Sequence, residues 1–156
     1  MARTERIFTG EFPRSVKMLC KKTGIKDSWY HKWVDAQIWM PFDATLIFNG
    51  VGYAIEYKIC KAKKTMNMAK LFSDREHQIV QLNKWAKAGG ENFKGVVLIN
   101  WFIPRKQNRC FALSADTAQK YIDKGTVPME EFIADPEVRE KVRERCEITK
   151  TYYWDL

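Results

Sequence analysis

The dipeptide Asn49-Gly50 constrains this chain more than any other feature of its sequence. Both residues tolerate a positive φ, so the pair is the strongest short-range signal for a two-residue β-hairpin turn. It lies between two apolar segments, residues 45–48 and 53–59, and the second alternates with the period of a strand. A tight turn here pairs residues whose numbers sum to about 99. The sequence therefore predicts an antiparallel hairpin of defined register.

The predicted register brings three charged side chains together at one end of the hairpin. Glu56 and Lys58 are two residues apart, so they share the face opposite Ile55, and Asp43 falls opposite Glu56 within one position. Two carboxylates a few ångströms apart repel each other, and a divalent cation is the usual remedy. Together with a backbone carbonyl, such as that of Tyr57, and several waters, they suit Mg²⁺, with Mn²⁺ as a substitute.

A cation held in this way can acidify a water molecule while it polarises a phosphoryl oxygen. The neighbouring Lys58 ammonium could position the nucleophile or stabilise charge on the scissile phosphate. The pattern thus predicts hydrolysis of a phosphodiester. The alternative is a surface hairpin with an ordinary Glu-Lys pair, since Glu-x-Lys alone occurs by chance in most proteins.

Start and stop signals along the rest of the chain predict further helices and strands. They are a helix from Pro13 to Gly24, a helix from the capping box at 73–76 to Gly89, strands over 95–102 and 110–113, a helix from Ser114 to Gly125 and a charged helix from Asp135. The apolar run at 95–102 is typical of a strand in the centre of a sheet. This order predicts an α/β fold with a mixed sheet. We expect one domain over residues 1–156, in which residues 128–156 form a helical extension.

The charge balance favours a polyanionic partner. The chain has 27 Lys and Arg against 19 Asp and Glu, a net charge of +8. No run approaches the roughly 18 apolar residues of a membrane helix, and the first residues lack the core of a signal peptide, so we expect a cytoplasmic protein with no membrane contact. The cysteines are widely spaced and histidines are few, so we expect reduced thiols and no zinc site.

Two short motifs resemble the signature of the PD-(D/E)XK nucleases, namely Pro-Phe-Asp at 41–43 and Glu-Tyr-Lys at 56–58. Within that superfamily, the chain is most similar to Holliday junction resolvases of archaeal and phage type, and also to bacterial recombination resolvases. The sequence Arg-Glu-His-Gln at 75–78 supports this similarity. The resemblance covers about residues 10–122 and weakens over 128–156. It implies a restriction-endonuclease-like core, with a central mixed sheet flanked by helices.

The resemblance also implies an activity. The family members are metal-dependent endodeoxyribonucleases that act as homodimers and make paired symmetric nicks in four-way DNA junctions. By this resemblance Asp43 and Glu56 are metal ligands, Lys58 is the catalytic lysine and Gln78 supports the site. The family also uses a glutamate near the first helix, for which Glu11 is the best-placed match. Glu5 is the rival of Glu11 for this role.

A basic segment follows the second hairpin strand. We predict that it contacts DNA phosphates, and the residues concerned are Lys61, Lys63, Lys64, Lys70 and Arg75. We expect this segment to be a poorly ordered loop, and the alternative interpretation is a loop that is only solvated.

Two other functions stay open from the sequence. One is a restriction-like or repair endonuclease that acts on duplex or flap DNA. The other is a nucleic-acid-binding module of the same fold without catalysis.

Overall fold

The computed structural model describes residues 5–33, 42–72 and 77–156, and of His77 only the backbone. Its elements in chain order are α1 (Glu5–Thr23), β1 (Ser28–Lys32), β2 (Ala44–Phe48), β3 (Val51–Cys60), β4 (Thr65–Asn67), α2 (Met68–Leu71), α3 (His77–Gly89), a 3₁₀ turn (Gly90–Asn92), β5 (Phe93–Ile103), β6 (Gln107–Ser114), α4 (Ala115–Lys124), β7 (Thr126–Pro128), α5 (Met129–Ala134), β8 (Arg139–Lys141), β9 (Arg143–Arg145) and β10 (Tyr152–Trp154).

A six-stranded sheet in the order β1-β2-β3-β5-β6-β8 forms the centre of the fold. Its strands β3 and β5 are parallel, and its other neighbouring pairs are antiparallel. A parallel pair needs a crossover connection, and β4, α2 and α3 supply it. α1 packs on one face of the sheet, and α3, α4 and α5 pack on the other. The prediction of an α/β fold with a mixed sheet flanked by helices is confirmed.

The hairpin of β2 and β3 has the predicted turn and register. Asn49 and Gly50 have φ values of 49° and 76°, as a type I′ turn requires. Ala44 lies opposite Ile55, a pair whose numbers sum to the predicted value. Ile55 belongs to the core that contacts α1, whereas its neighbour Ala54 belongs to the core on the opposite face. Glu56 therefore faces away from α1, as predicted.

The predicted end of α3 and both predicted ends of α4 are confirmed. α3 ends at Gly89, and Gly90 follows with a φ of 68°. The Ser114 hydroxyl caps α4 by accepting a hydrogen bond from the Thr117 amide at 3.1 Å, and α4 ends before Gly125. The capping box at 73–76 lies outside the described residues.

Two predictions about helices are wrong, and the first concerns Pro13. This residue lies inside α1 and does not begin it. An interior proline costs a helix about 3 kcal/mol. The stripe of Phe8, Phe12 and Val16, which is buried against the sheet, outweighs this cost because each large apolar side chain contributes roughly 1.5–3 kcal/mol.

The charged helix predicted from Asp135 is also wrong. The segment forms β8, which pairs with β6 at the edge of the sheet, and β9, which pairs with β10. A helix here would bury only a narrow stripe, and Val142 in that stripe is 61% exposed. Strand pairing instead covers the edge of β6, whose amide and carbonyl groups would otherwise lack partners on that side. The only helix described within the predicted helical extension, residues 128–156, is α5.

Within the described ranges, no helix combines the length and apolar character that a membrane crossing requires.

α3 and α4 approach β5 so closely at Gly95 that a side chain there would crowd both helices. A Cβ atom at this position would lie 3.0 Å from the Leu82 carbonyl oxygen and 3.1 Å from the Ala115 Cβ. We expect Gly95→Ala to lower the free energy of unfolding by about 1–3 kcal/mol, measured by urea denaturation. Gly10→Ala is the control, because a Cβ at this helical position meets nothing within 4 Å. A Gly95→Ala protein of wild-type stability would contradict this packing.

Candidate active site

Lys58 lies at the centre of a small polar cluster on the face of β3 that is turned away from α1. Its Nζ is 2.9 Å from Oε1 of Glu56 and donates a hydrogen bond of 3.2 Å to Oε1 of Gln78. The same ammonium lies 4.8 Å from the centroid of the Phe72 ring. These contacts hold the Lys58 side chain in place from β3, from α3 and from the end of α2.

Asp43 joins this cluster from the residue that precedes β2. Its Oδ2 accepts a hydrogen bond of 2.8 Å from the Tyr57 amide, and its own amide donates to the Ile55 carbonyl at 3.0 Å. The carboxylate thus takes the place of a backbone partner where β3 extends beyond β2. Because the amide and carbonyl of a strand residue point to the same side, the Tyr57 carbonyl lies on the side of β3 that Asp43 occupies. We call Asp43, Glu56, Lys58 and Gln78 the β3 cluster.

The Glu56 side chain is only 1% exposed, and its two carboxylate oxygens differ in their contacts. Oε1 is paired with Lys58, whereas the buried Oε2 has no hydrogen-bond partner among the described residues. Burial, and next the negative charge of Asp43, raise the pKa of Glu56 to about 8, although Lys58 opposes the shift. Ionisation of Glu56 beside the Asp43 carboxylate is therefore unfavourable in the β3 cluster.

The donor set of the β3 cluster fits a divalent cation that prefers oxygen ligands. The described residues contain no group of three or more His, Cys, Asp or Glu side chains that could hold a metal ion. The two carboxylates and the Tyr57 carbonyl would therefore need water to complete the coordination. Mg²⁺ usually keeps several of its waters, so a set of this size suits it. The buried Oε2 of Glu56 supports this fit because a cation would give it a partner.

Glu11 is tied to the C-terminal strands. The Arg143 guanidinium donates to both of its carboxylate oxygens, with 3.3 Å between Nε and Oε2. The same guanidinium lies 3.9 Å above the Tyr152 ring. These contacts join α1 to β9 and β10.

The rival residue, Glu5, is the first residue of α1. Leu19, towards the end of α1, lines the same groove as Tyr53 at the start of β3. Phe8, towards the start of α1, meets the Tyr57 ring edge-on at a centroid distance of 5.6 Å. α1 therefore runs antiparallel to β3, and its first turn lies at the Tyr57 end. Phe12, one turn further along α1 and next to Glu11, meets the same ring at 5.5 Å, so the choice between Glu11 and Glu5 stays a prediction.

The predicted DNA-contacting lysines are exposed, but their segment is not a free loop. Lys61, Lys63 and Lys64 follow β3, and Lys70 lies in α2. The segment between them forms β4, which pairs with β7, and its methionines at 66 and 68 are completely buried. The lysines are therefore displayed from an ordered platform beside the carboxyl end of β3. Arg75 lies outside the described residues.

Two contacts of the site were not predicted from the sequence. Phe72 lies under the Lys58 ammonium, and Trp33 donates its amide to the Asp43 carbonyl at 2.8 Å. Phe72 immediately precedes the capping box. An apolar residue at that position often packs against the helix that follows, so the sequence does indicate that Phe72 packs there. Trp33 belongs to an alternation of aromatic residues that begins at Trp29, which is a strand signal.

No family model matches the chain, and no curated protein matches it. Among solved structures, it is similar to Archaeoglobus fulgidus Hjc, a Holliday junction resolvase from an archaeal hyperthermophile. The two are 19% identical, the match covers 67% of this chain and 75% of that chain, and the TM-score is 0.39.

The raised pKa of Glu56 predicts how the stability of the metal-free protein depends on pH. The folded pKa of about 8 lies above the ordinary value of 4.5, so the folded state binds the extra proton between these values. The free energy of unfolding should therefore fall with rising pH, by up to about 1.4 kcal/mol per pH unit. Glu56→Gln should flatten the fall, as measured by urea denaturation in EDTA from pH 5 to pH 8.

The matched control for this measurement is Glu130→Gln, which alters an exposed carboxylate on α5. We expect it to keep the wild-type dependence on pH. A wild-type slope in Glu56→Gln would show that another group takes up the proton.

Proposed function

We propose that this chain is a metal-dependent endodeoxyribonuclease that makes paired symmetric nicks in four-way DNA junctions as a homodimer. One observation carries the proposal: Asp43, Glu56 and Lys58 converge at the end of the hairpin, and the buried Oε2 of Glu56 has no partner among the described residues. The motifs that resemble the PD-(D/E)XK signature place the same residues in the same roles.

The proposal gives each residue of the β3 cluster a distinct task. Asp43 and Glu56, with the Tyr57 carbonyl, would hold the cation. When bound, the cation supplies a Lewis acid that polarises a phosphoryl oxygen and lowers the pKa of a bound water. Lys58 offers a positive charge fixed beside the carboxylates, where it would orient the nucleophile or stabilise charge on the scissile phosphate. Gln78 accepts a hydrogen bond from Lys58 and so fixes the direction of its ammonium.

The charge of the chain supports DNA as the substrate. The net charge is +8, and the exposed lysines at 61, 63, 64 and 70 lie on the ordered platform beside the β3 cluster. Contacts to phosphates carry no sequence information, so they suit an enzyme that recognises the shape of its substrate. A four-way junction has two-fold symmetry, and two equivalent incisions suit two copies of one active site.

The test uses an end-labelled four-way junction and a linear duplex of matching sequence, each with Mg²⁺, with Mn²⁺ and with EDTA. We expect paired symmetric nicks on the junction alone, and only with metal. Equal cutting of both substrates would indicate a restriction-like or repair endonuclease. Tight binding without cutting in either metal would indicate a binding module.

Variants of the β3 cluster should separate cleavage from binding. Asp43→Asn, Glu56→Gln and Lys58→Met should each lower the single-turnover rate of junction cleavage by about 10²-fold or more, because each removes an electrostatic element of the site. Junction affinity in EDTA should stay within a few-fold of wild type. Lys106→Met, in the exposed turn after β5, is the control for Lys58→Met and should leave cleavage intact. Cleavage at the wild-type rate by any of the three would remove that residue from the mechanism.

The exposed lysines should set the salt dependence of DNA binding. Neutralising Lys61 and Lys64 together should make the negative slope of log K against log [salt] shallower, by about 0.9 for each phosphate that the variant no longer neutralises. Fluorescence anisotropy at several salt concentrations measures this slope. The matched control neutralises Lys120 and Lys124, which are exposed but already paired with glutamates at 137 and 131. An equal change of slope in both double variants would indicate an effect of net charge alone.

A further inference from the structure

The edge strand β1 displays a row of aromatic rings on one face. The rings of Trp29 and His31 stack with a centroid distance of 5.7 Å and an angle of 11° between their planes. The Trp33 ring meets His31 edge-on at 4.6 Å. We call these three side chains the aromatic strip. Trp29 at its outer end is 48% exposed, and Ile47 opposite it on β2 is 45% exposed.

The aromatic strip shares a face of the sheet with the β3 cluster. His31 lies opposite Thr45, and Thr45 lies opposite Ala54, which is two residues before Glu56. Side chains in such a row point to one face, so the strip and the Glu56 carboxyl are on the same side. The Trp33 amide also donates to the Asp43 carbonyl at 2.8 Å, so the inner end of the strip adjoins the β3 cluster.

The inner end of the strip is firmly anchored, whereas its outer end is open to a ligand. The Trp33 indole donates to the Thr45 hydroxyl at 3.0 Å and packs against the core. β1 itself is paired with β2 along its whole length. The Trp29 ring would therefore lose little conformational freedom when a ligand binds to it.

We propose that the aromatic strip is a stacking platform for an unpaired DNA base beside the cleavage site. Aromatic side chains bind bases of any sequence through their flat faces, and the positive charge of this chain attracts the accompanying phosphates. A linear duplex keeps its bases stacked on one another, whereas a branch point or a single strand can present an unstacked base to the protein. This inference rests on the proposed nuclease function and adds a feature of the substrate, namely unstacked bases near the scissile phosphate.

The length of the strip sets where the stacked base lies. Trp29 and Trp33 are four residues apart on an extended chain, or about 13 Å. A stacked strand advances 3.4 Å per nucleotide and an unstacked strand advances further, so this length corresponds to at most about four nucleotides. The platform thus engages a base a few nucleotides from the bond to be cut.

The test measures stacking directly, with a four-way junction that carries 2-aminopurine at the branch point. Binding is followed in EDTA, where no cutting takes place, and stacking on an indole quenches the fluorescence of the probe. Trp29→Leu keeps an apolar side chain but removes the flat ring, and Trp29→Phe restores a ring. Ile148→Ala is the control for an apolar residue elsewhere on the surface, because Ile148 is 87% exposed.

We expect Trp29→Leu to abolish the quenching and to bind the junction about 5- to 100-fold more weakly, because the base then has no ring to stack on. Its affinity for a linear duplex, and the salt dependence of its DNA binding, should match those of the wild-type protein, because the phosphates are bound as before. Trp29→Phe should recover most of the junction affinity, and Ile148→Ala should behave as wild type. Thermal unfolding of each variant verifies that it is folded.

The outcomes that overturn the stacking proposal differ from those that overturn the nuclease proposal. If Trp29→Leu quenches the probe and binds the junction as the wild type does, stacking is wrong, whether or not the protein cuts DNA. If the wild type cuts no junction with metal but shows quenching that depends on Trp29, the nuclease proposal fails and the platform stands. If Trp29→Leu changes only the molecular mass in light scattering, β1 is a contact between copies and stacking is wrong.

Discussion

A two-residue turn with both residues at positive φ leaves its two strands only one register, and the rest of the site depends on that register. A shift by one residue would move Glu56 to the face of α1 and exchange the two cores. The register also decides where β2 begins, and so where Asp43 can replace a backbone partner of β3. The acidic pair at this point follows from the geometry of the turn at Asn49 and Gly50.

The crossover between β3 and β5 then completes the site. The parallel pairing of these strands requires a long connection, and this connection supplies Phe72 and Gln78, which hold the Lys58 ammonium. A lysine whose ammonium is held by an aromatic ring and an amide has few conformations to lose when a phosphate arrives. The remaining cost lies on Glu56, whose buried Oε2 has no hydrogen-bond partner among the described residues, and a bound proton or cation would offset it.

Short-range signals made much of this arrangement predictable. The turn, the alternation along β3 and the Ser114 cap depend on neighbours within a few residues, and the structure confirms them. The failures depend on distant partners. Pro13 is tolerated because α1 buries a stripe against the sheet, and the segment after Asp135 is extended because β6 offers an open edge. The partner of Glu11 is 132 positions away, beyond the reach of any local pattern.

The docking of β10 on α1 has a consequence for how this chain folds. The Trp154 amide donates to the Ser15 hydroxyl across 139 positions, and the Arg14 guanidinium reaches the Tyr152 carbonyl across 138. Contacts of such separation carry a large entropy of loop closure, so we expect them to form after the sheet between them has assembled. On that order, the helix that covers the Tyr57 end of β3 would be locked in place late, and the hairpin carrying the acidic pair would hold its own shape until then.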